Sequence, residues 1–356
     1  MPEAKQKSVL SYFYLPIFFT IAGLIAGFMI GGPEAMLLIT VLIVLEISLS
    51  FDNAVVNATV LRNWPEKWRK VFLFWGILIA VFGMRLVFPI AIVAVAGQIN
   101  PLTVIDLALN DPAQYGVRLA AMEHLVAGFG GAFLLMVGLA FFLDEAKDHH
   151  WLGPIEGVLA KLGPINMVTA GLALLVSLLV QPLVAPEEQL GFLVAAVWGI
   201  VAYILIKGVS SSLAGDDDGD DEHTHEKDIG KKIVRASVMG FLYLEVLDAS
   251  FSFDGVIGAL ALTNYLPYIM IGLGVGAFYV RETTMLLLDR GAMDQYQFLE
   301  HGAFWAILAL AAVMFAKACG IHLPEWLVGL SAVGFLGAAV LHSHLLARAE
   351  ARAAAL

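Results

Sequence analysis

The sequence has little of what soluble and secreted proteins use. It has one cysteine in 356 residues, Cys319, so neither a disulfide framework nor a cysteine-rich site for a soft metal can form within the chain. Charged residues make up 14% of the chain, against about 25% in an ordinary soluble domain. The 20 Lys and Arg residues are outnumbered by 31 Asp and Glu, which argues against nucleic acid as a partner. These shortages exclude a soluble globular enzyme, a disordered protein and a secreted disulfide scaffold.

Apolar residues are present in excess. They make up 60% of the chain, and the mean hydropathy is +0.84. A transmembrane helix needs about 20 mostly apolar residues. Ten stretches have that character: 11–31, 35–61, 71–97, 119–143, 165–184, 190–209, 233–262, 267–288, 300–319 and 324–346. The sequence therefore predicts an all-α polytopic membrane protein of about ten transmembrane helices in a lipid bilayer.

The positions of the basic residues predict the orientation. Sixteen of the 20 Lys and Arg residues fall on one side if both termini are cytoplasmic, as the positive-inside rule requires. On that side, residues 216–228 (DDDGDDEHTHEKD) form a predicted flexible loop, which either binds metal or is only a solvated linker. On the opposite side, residues 98–118 form a predicted loop with a short helix.

Two similar stretches indicate an internal duplication. LEISLSFDNAVVNA from Leu45 aligns without gaps with LDASFSFDGVIGAL from Leu247. Three polar elements recur in the same order on consecutive spans: Glu46 and Asp52 with Asp248 and Asp254, Arg85 with Arg281, and Glu123-His124 with Glu300-His301. Matching spans are five apart, an odd number, so the two halves have opposite orientations. Such inverted-topology repeats are typical of secondary transporters.

The duplication predicts the domain organisation. Residues 1–210 hold the first repeat (spans one to five) and the start of the second, with span six at 190–209. Residues 211–232 are the acidic, histidine-containing cytoplasmic loop, and residues 233–356 hold spans seven to ten. A substrate site is then expected near the midplane of the membrane, where the two repeats meet.

Polar residues inside the spans indicate where that site lies. A charged residue at the centre of a span costs about 2.5–3.5 kcal/mol on insertion scales, so these residues are expected to pair or to coordinate a ligand. Helical spacing places them on two stripes: Glu46, Ser50, Asn53 and Asn57, then Glu245, Asp248 and Ser252. Asp52 and Asp254 lie about 120° from these stripes. Either they face Arg85 and Arg281, or the helix loosens there, which Gly255 would ease.

Carboxylate, amide and hydroxyl oxygens suit a hard cation such as Mg²⁺, Mn²⁺ or Ca²⁺. The predicted metal ligands are Glu46, Asp52, Asn53, Asp248, Asp254 and Glu245. The alternative is structural, with Asp52–Arg85 and Asp254–Arg281 as salt bridges between neighbouring spans. Two arginines cannot neutralise all of these acids, and the surplus negative charge requires a cation or protons.

A second group of residues is assigned to gating or proton coupling: Arg85, Arg281, Glu123, His124, Glu300 and His301. Histidine titrates near neutral pH, which suits a proton relay; interhelical hydrogen bonding is the alternative for the Glu-His pairs. No catalytic residue and no permanent cofactor are predicted, because the sequence has neither an HExxH pair nor a three-histidine site. We therefore do not expect an enzyme.

The chain resembles the TerC family of integral membrane proteins, named for tellurium resistance. The run LSFDNAVV, followed by WPEKWRKVFLFWGI and then Arg85, is similar to the most characteristic stretch of that family. SFDG at Ser252–Gly255 resembles its second signature, with Gly255 where Ser or Asn is usual and with the additional acids Glu245 and Asp248. The resemblance covers residues 35–145 and 233–320.

The resemblance implies a member of the LysE-type transporter superfamily, which includes exporters of manganese, calcium and cadmium. TerC relatives are associated with Mn²⁺ efflux, and the metal-site residues carried over to this sequence are Asp52, Asn53, Asp254 and Glu46. We therefore expect a Mn²⁺ exporter in a prokaryotic cytoplasmic membrane, either as a monomer or as a homo-oligomer. The alternatives are a transporter of Ca²⁺ or another cation, an intramembrane metal enzyme, and a membrane scaffold in the tellurium or metal stress response.

Overall fold

Helices account for the secondary structure of the described chain. The computed structural model describes residues 8–62, 64–144, 151–160, 167–213, 238–263 and 265–353, and these ranges contain no strand. The elements are α1 (Val9–Tyr12), α2 (Tyr14–Leu49), α3 (Phe51–Leu61), α4 (Glu66–Val71), the π-helical segments Phe72–Gly76 and Ile79–Val87, α5 (Phe88–Ala96), α6 (Pro101–Asn110), α7 (Pro112–Ala120), α8 (Glu123–Phe142), α9 (Gly153–Ala160), α10 (Val168–Val180), the 3₁₀ turn Gln181–Leu183, α11 (Gln189–Leu213), α12 (Val238–Leu262), α13 (Leu266–Asp289), α14 (Ala292–Gln295), α15 (Leu299–Ala318) and α16 (Glu325–Ala353).

Seven helical stretches within these ranges are long and apolar enough to cross a membrane. The protein is therefore an all-α polytopic membrane protein, as predicted. The predicted acidic loop, residues 216–228, lies outside the described residues.

Helix α2 is too long for a single crossing. Its 36 residues would extend about 54 Å at 1.5 Å per residue, whereas the hydrocarbon core of a bilayer is about 30 Å thick. The helix is broken at Gly31 and Gly32, which have non-helical backbone angles. Gly32 has φ 68° and ψ −154°, a conformation that favours glycine because it has no Cβ.

The first arm of α2, residues 14–30, runs antiparallel to α13. Near its start, the Thr20 and Tyr279 hydroxyls are hydrogen-bonded at 3.1 Å. At its end, Gly31 lies against the hydroxyl of Tyr268. Moving forward along α2 therefore means moving backward along α13.

The second arm of α2, residues 33–49, runs parallel to the same helix. Leu42 packs on Gly272, and one turn later Glu46 packs on Gly276. The chain therefore reverses direction at Gly32, and the two arms correspond to the predicted spans 11–31 and 35–61. The reversal places Glu46 against α13.

The second predicted span bends before it ends. Ser50 has φ −105° and ψ 14°, and α3 begins at the next residue. The helix therefore does loosen next to Asp52. The same alternative does not hold in the second half, because α12 is continuous through Asp254 and Gly255. Gly255 instead leaves room for the Glu46 carboxylate, because a Cβ at this position would lie 3.0 Å from Glu46 Oε2.

The third predicted span contains two π-helical segments. The stretch Glu66–Ala96, called here the wide helix, is 31 residues long, and its π turns are Phe72–Gly76 and Ile79–Val87. A π turn bonds residue i to i+5, which widens the helix and is frequent at functional sites. Because of these turns, the 100° spacing rule does not predict the direction of Arg85.

Three stretches differ in length from the prediction. In the described part of the predicted span 165–184, the helix consists of the 13-residue α10 and a 3₁₀ turn, which is short for a crossing. The predicted outer loop, 98–118, forms two short helices, α6 and α7. A further short helix, α9, lies between the predicted spans four and five.

The two helices that carry a Glu-His pair in their first turn, α8 and α15, pack along each other. Gly130 of α8 lies against Met314 of α15, and Gly138 lies against Leu308, so the two helices are antiparallel. Small residues allow such close packing of transmembrane helices. An inverted repeat requires this relative direction, and the duplication itself remains a prediction.

Candidate functional site

A polar cavity lies where five helical segments meet. Its volume is about 40 Å³, enough for roughly three water molecules. It is bounded by the second arm of α2, by α3, by the wide helix, by α12 and by α13. The polar residues that line it are Glu46, Ser50, Asn53, Asn57, Arg85, Glu245, Asp248, Arg281 and Thr284. Both predicted polar stripes contribute to the lining, and they come from opposite halves of the chain.

Glu46 is the most enclosed carboxylate of the lining, with 1% of its surface exposed. Its Oε1 accepts a hydrogen bond of 2.9 Å from Ser50 Oγ and is ion-paired with Arg85 Nη2. Two glycines lie against other atoms of the side chain. A Cβ at Gly276 would lie 2.5 Å from the Cβ and Cγ of Glu46, and Gly255 lies next to Oε2.

Arg85 is a buried guanidinium, 3% exposed, on the second π segment. Its Nη1 donates to the Ala80 carbonyl of the same segment, and its Nη2 donates to Glu46 Oε1. Its Nε has no hydrogen-bond partner among the described residues. The Asp52–Arg85 salt bridge considered as the structural alternative is therefore not formed, because Arg85 pairs with Glu46.

Asn53 and Asp248 join the two predicted repeats. Asn53 Nδ2 donates a hydrogen bond to Asp248 Oδ1. The amide oxygens of Asn53 and Asn57 have no hydrogen-bond partner in the described ranges, although both side chains are buried. The cavity therefore contains oxygen atoms that are available to a ligand.

Glu245 is a buried carboxylate that lines the cavity and is 6% exposed. Neither of its oxygens has a hydrogen-bond partner in the described part of the chain. A Cβ at Gly76 on the wide helix would lie 3.1 Å from Oε1. An ionised carboxylate without a partner is costly to bury, so the environment of Glu245 calls for a cation or a proton.

The charges of the lining do not balance. The carboxylates of Glu46, Glu245 and Asp248 outnumber the guanidinium groups of Arg85 and Arg281 by three to two. When all five groups are ionised, the lining carries a net charge of −1. A cavity with this charge attracts cations, and the electrostatic attraction is strong where water is scarce.

Asp52, one of the predicted ligands, is not part of this lining. Asp52 is 2% exposed, and its Oδ1 accepts the backbone N–H of the next residue, Asn53, at 2.9 Å in the first turn of α3. The backbone of Asp254 belongs to α12, and its side chain lies outside the described residues. Its pairing with Arg281 therefore remains a prediction.

The described carboxylates do not form a closed metal cage by themselves. No three His, Cys, Asp or Glu side chains within the described ranges are grouped closely enough to hold a metal ion. A cation in the cavity would therefore also depend on the amide and hydroxyl oxygens of Asn53, Asn57, Ser50 and Thr284.

One family matches most of the chain. The model of DUF475, described as a protein of unknown function, matches residues 51–350. The chain belongs to this family. No curated protein and no solved structure matches the chain. The DUF475 match includes the cavity residues on α3, the wide helix, α12 and α13, and it begins just after Glu46 and Ser50.

The Glu-His pairs of this DUF475 chain lie away from the cavity, at the first turns of α8 and α15. His124 Nδ1 lies 3.6 Å from Glu188 Oε1. Glu300 Oε2 lies 3.9 Å from Arg62 Nη2. Glu123 is the first residue of α8. A role of these pairs in proton coupling remains a prediction, and the geometry gives them no direct contact with the cavity.

His301 faces a carboxylate that the sequence analysis did not single out. Glu156, on α9, is fully buried and lies 3.6 Å from His301 Nε2. It also accepts hydrogen bonds from the backbone of Trp151 and Leu152 and from Trp305 Nε1, at 3.0, 3.2 and 3.1 Å. The available signal was the sequence GPIEGVLA, in which proline at the start of an apolar stretch is followed by an acid, as in the first turn of a helix.

Proposed function

We propose that this DUF475 protein is a transporter that exports a divalent metal cation, with Mn²⁺ as the first choice of substrate. The observation that carries the proposal is Glu245, a buried carboxylate with no described partner, in a cavity of net negative charge that is bounded in part by α2, the wide helix and α13, three helices long and apolar enough to cross a membrane. Ionisable residues inside membrane proteins are costly and mark ion or proton pathways. A passing cation would supply the charge that Glu245 lacks.

The donor atoms of the lining favour a small, hard ion. The side chains provide carboxylate, amide and hydroxyl oxygens, and the described lining contains no sulfur and no imidazole. Such donors suit Mg²⁺, Mn²⁺ and Ca²⁺ rather than soft metals. A volume of about 40 Å³ favours a partly dehydrated ion over an organic cation. The choice of Mn²⁺ and the outward direction rest on the TerC resemblance.

The two halves of the chain would share the ion. Glu46 and Asn53 would supply oxygens from the first half, and Asp248, Glu245 and Asp254 would supply them from the second. Protonation of these carboxylates would weaken the site and release the ion, which would couple export to protons. In this proposal, metal ion and proton would compete for the same carboxylates at the interface between the two repeats, where transporters with inverted topology bind their substrates. The prokaryotic cytoplasmic membrane, with both termini inside, belongs to the same proposal.

The test is Mn²⁺ flux into proteoliposomes that contain the full-length protein and a trapped Mn²⁺-sensitive dye. We expect flux with the parent protein and loss of flux with Asp248→Asn, which removes a cavity charge while preserving the shape of the side chain. Asp106→Asn is the matched control, because Asp106 is exposed on α6, away from the cavity, and accepts a hydrogen bond from Asn110 on the same helix. Its flux should equal that of the parent.

Competition identifies the ion. Ca²⁺ and Mg²⁺ added outside the vesicles should inhibit Mn²⁺ influx only when they are in excess over Mn²⁺. If either ion inhibits at a concentration below that of Mn²⁺, that ion is the preferred substrate. If the parent protein moved none of these ions, the transporter proposal would be overturned and the scaffold alternative would take its place. In that case, binding partners should copurify with the protein and Asp248→Asn should leave them bound.

A further inference from the structure

Arg85 occupies the side of Glu46 that a substrate cation would need. Its guanidinium is buried, lines the same cavity and forms an ion pair with Glu46 Oε1. Arg281 also lines the cavity, but no ion pair between Arg281 and Glu46 is present in the described structure. The two matching arginines of the repeats therefore have different surroundings.

The backbone of the wide helix provides an anchor for the Arg85 guanidinium. Nη1 donates to the carbonyl of Ala80 on the same π segment, while Nη2 reaches Glu46 on a neighbouring helix. The side chain thus has one partner on its own helix and one across the cavity. If the bond to Glu46 is exchanged for a metal ion, the bond to Ala80 can still hold the guanidinium inside the protein.

We infer that Arg85 is a tethered counter-ion that competes with the transported cation for Glu46 and thereby sets the affinity of the site. This inference rests on the proposed function. In the empty protein the guanidinium neutralises Glu46, which would otherwise be a buried and unpaired charge. A divalent cation that enters must displace the guanidinium, and the guanidinium returns when the cation leaves. A transport site needs this balance, since binding has to be strong enough for entry and weak enough for release.

A competing Arg85 and a purely structural Arg85–Glu46 salt bridge predict opposite changes in the affinity for the cation when Arg85 is removed. Removing Arg85 frees Glu46 for the metal, so the variant should bind the cation more tightly and release it more slowly. A structural role would predict weaker binding, because the loss of a buried partner disturbs the site. The sign of the change in affinity therefore distinguishes the two roles.

The experiment measures Mn²⁺ binding to the purified, full-length protein by titration calorimetry. We expect Arg85→Gln to lower the Kd by roughly 5- to 150-fold, the usual range for coupled sites, and to slow Mn²⁺ flux at saturating concentration. Lys70→Gln is the matched control. It removes one positive charge from the same wide helix, but Lys70 is 72% exposed and pairs with Glu66 at the surface. Its Kd should equal that of the parent.

A double variant tests whether the tighter Mn²⁺ binding expected of Arg85→Gln depends on the carboxylate of Glu46. Arg85→Gln combined with Glu46→Gln should lose the tighter binding, because the carboxylate that Arg85 releases is no longer present. If Arg85→Gln does not fold, Arg85→Lys replaces it: a lysine keeps the charge but loses the two-partner geometry, so its Kd should fall by a smaller factor.

Each outcome has a distinct meaning. A parent protein that binds none of the divalent cations tested would overturn the proposed function itself. A parent that binds Mn²⁺, together with an Arg85 variant whose Kd is unchanged or higher, would leave the transporter proposal intact and overturn the role of Arg85 as a competitor.

Discussion

Asn53 and Asp248 are hydrogen-bonded to each other although 195 residues separate them in the sequence. Asn53 lies on α3 and Asp248 on α12, the two helices that carry the matching motifs of the predicted repeats. The amide donates its N–H to the carboxylate, and its own oxygen is left without a described partner. The bond therefore orients both an acidic and a neutral oxygen toward the same cavity.

This relationship predicts the effect of Asn53→Ala. The substitution removes the donor that orients Asp248 and also removes one amide oxygen from the cavity. We expect the Kd for Mn²⁺ to rise by about 10- to 100-fold, the usual cost of losing a group that orients a metal ligand. Titration calorimetry measures the change. Asn110→Ala is the control, because Asn110 donates to Asp106 on an exposed helix; an equal loss in both variants would contradict a specific role for Asn53.

Glu245→Gln should separate stability from binding. The amide carries no charge, so it avoids the penalty of burying an ionised carboxylate without a partner; we expect the metal-free variant to be at least as stable as the parent protein at a pH that ionises Glu245. The same variant should lose Mn²⁺ binding. Thermal unfolding in detergent, with and without Mn²⁺, measures both effects.

The control for Glu245 is Glu34→Gln, since Glu34 is exposed. It should change neither the unfolding temperature nor the shift that Mn²⁺ causes. If Glu245→Gln lowered the unfolding temperature of the metal-free protein, Glu245 would have a stabilising partner, and its role as an available ligand would have to be abandoned.

Gly276→Ala tests the close packing around Glu46. The added Cβ would lie 2.5 Å from the Cβ and Cγ of Glu46, so that the side chain must move away from Arg85. We expect a loss of about 1–3 kcal/mol in stability, as for overpacking in a core, together with altered Mn²⁺ affinity. Thermal unfolding and calorimetry measure the two changes.

Two other glycines provide the comparison. Gly272→Ala on the same helix would meet Leu42 instead of Glu46, and it should destabilise the protein with a smaller effect on affinity. Gly171→Ala in α10 meets no atom within 4 Å and should be neutral or slightly stabilising, since alanine favours helices over glycine by about 1 kcal/mol. Equal stability of all three variants would argue against the packing described here.

Glu156→Gln should destabilise the protein without affecting the cavity. Glu156 accepts three N–H bonds and faces His301, all away from the cavity lining. A glutamine has one oxygen for these donors, so we expect a loss of about 1.5–3 kcal/mol, typical for hydrogen bonds to a charged group. The Kd for Mn²⁺ should stay at the parental value. A large change in Kd at unchanged stability would instead connect this cluster to transport.

The polar stripe on the second predicted span shows which site residues could be predicted from helical spacing. Residues three or four apart lie on one face of a helix regardless of what surrounds it. Glu46, Ser50, Asn53 and Asn57 were therefore predicted to share a face, and all four line the cavity. The same rule predicted that Asp52 lies off the stripe, and Asp52 does not line the cavity; its carboxylate accepts the backbone N–H of Asn53.

Helical spacing could not predict the ion-pair partner of Arg85. The bend at Ser50 and the π turns of the wide helix both change the angle between successive side chains. Spacing suggested only Asp52 as a salt-bridge partner of Arg85 and did not point to Glu46, because the pairing depends on how two irregular helices approach each other. Gly276 and Gly255 permit that approach, and their contact with Glu46 joins segments that are distant in the sequence.

The sequence by itself determined the membrane class of this protein and the residues that share a helical face, because burial of apolar side chains in lipid and the period of a helix are local properties. The tertiary structure alone decided that Arg85 pairs with Glu46, that Glu245 is left without a described partner and that His301 faces Glu156. These relationships arise where separate helices pack together, and no local pattern records the distance or the angle between two helices.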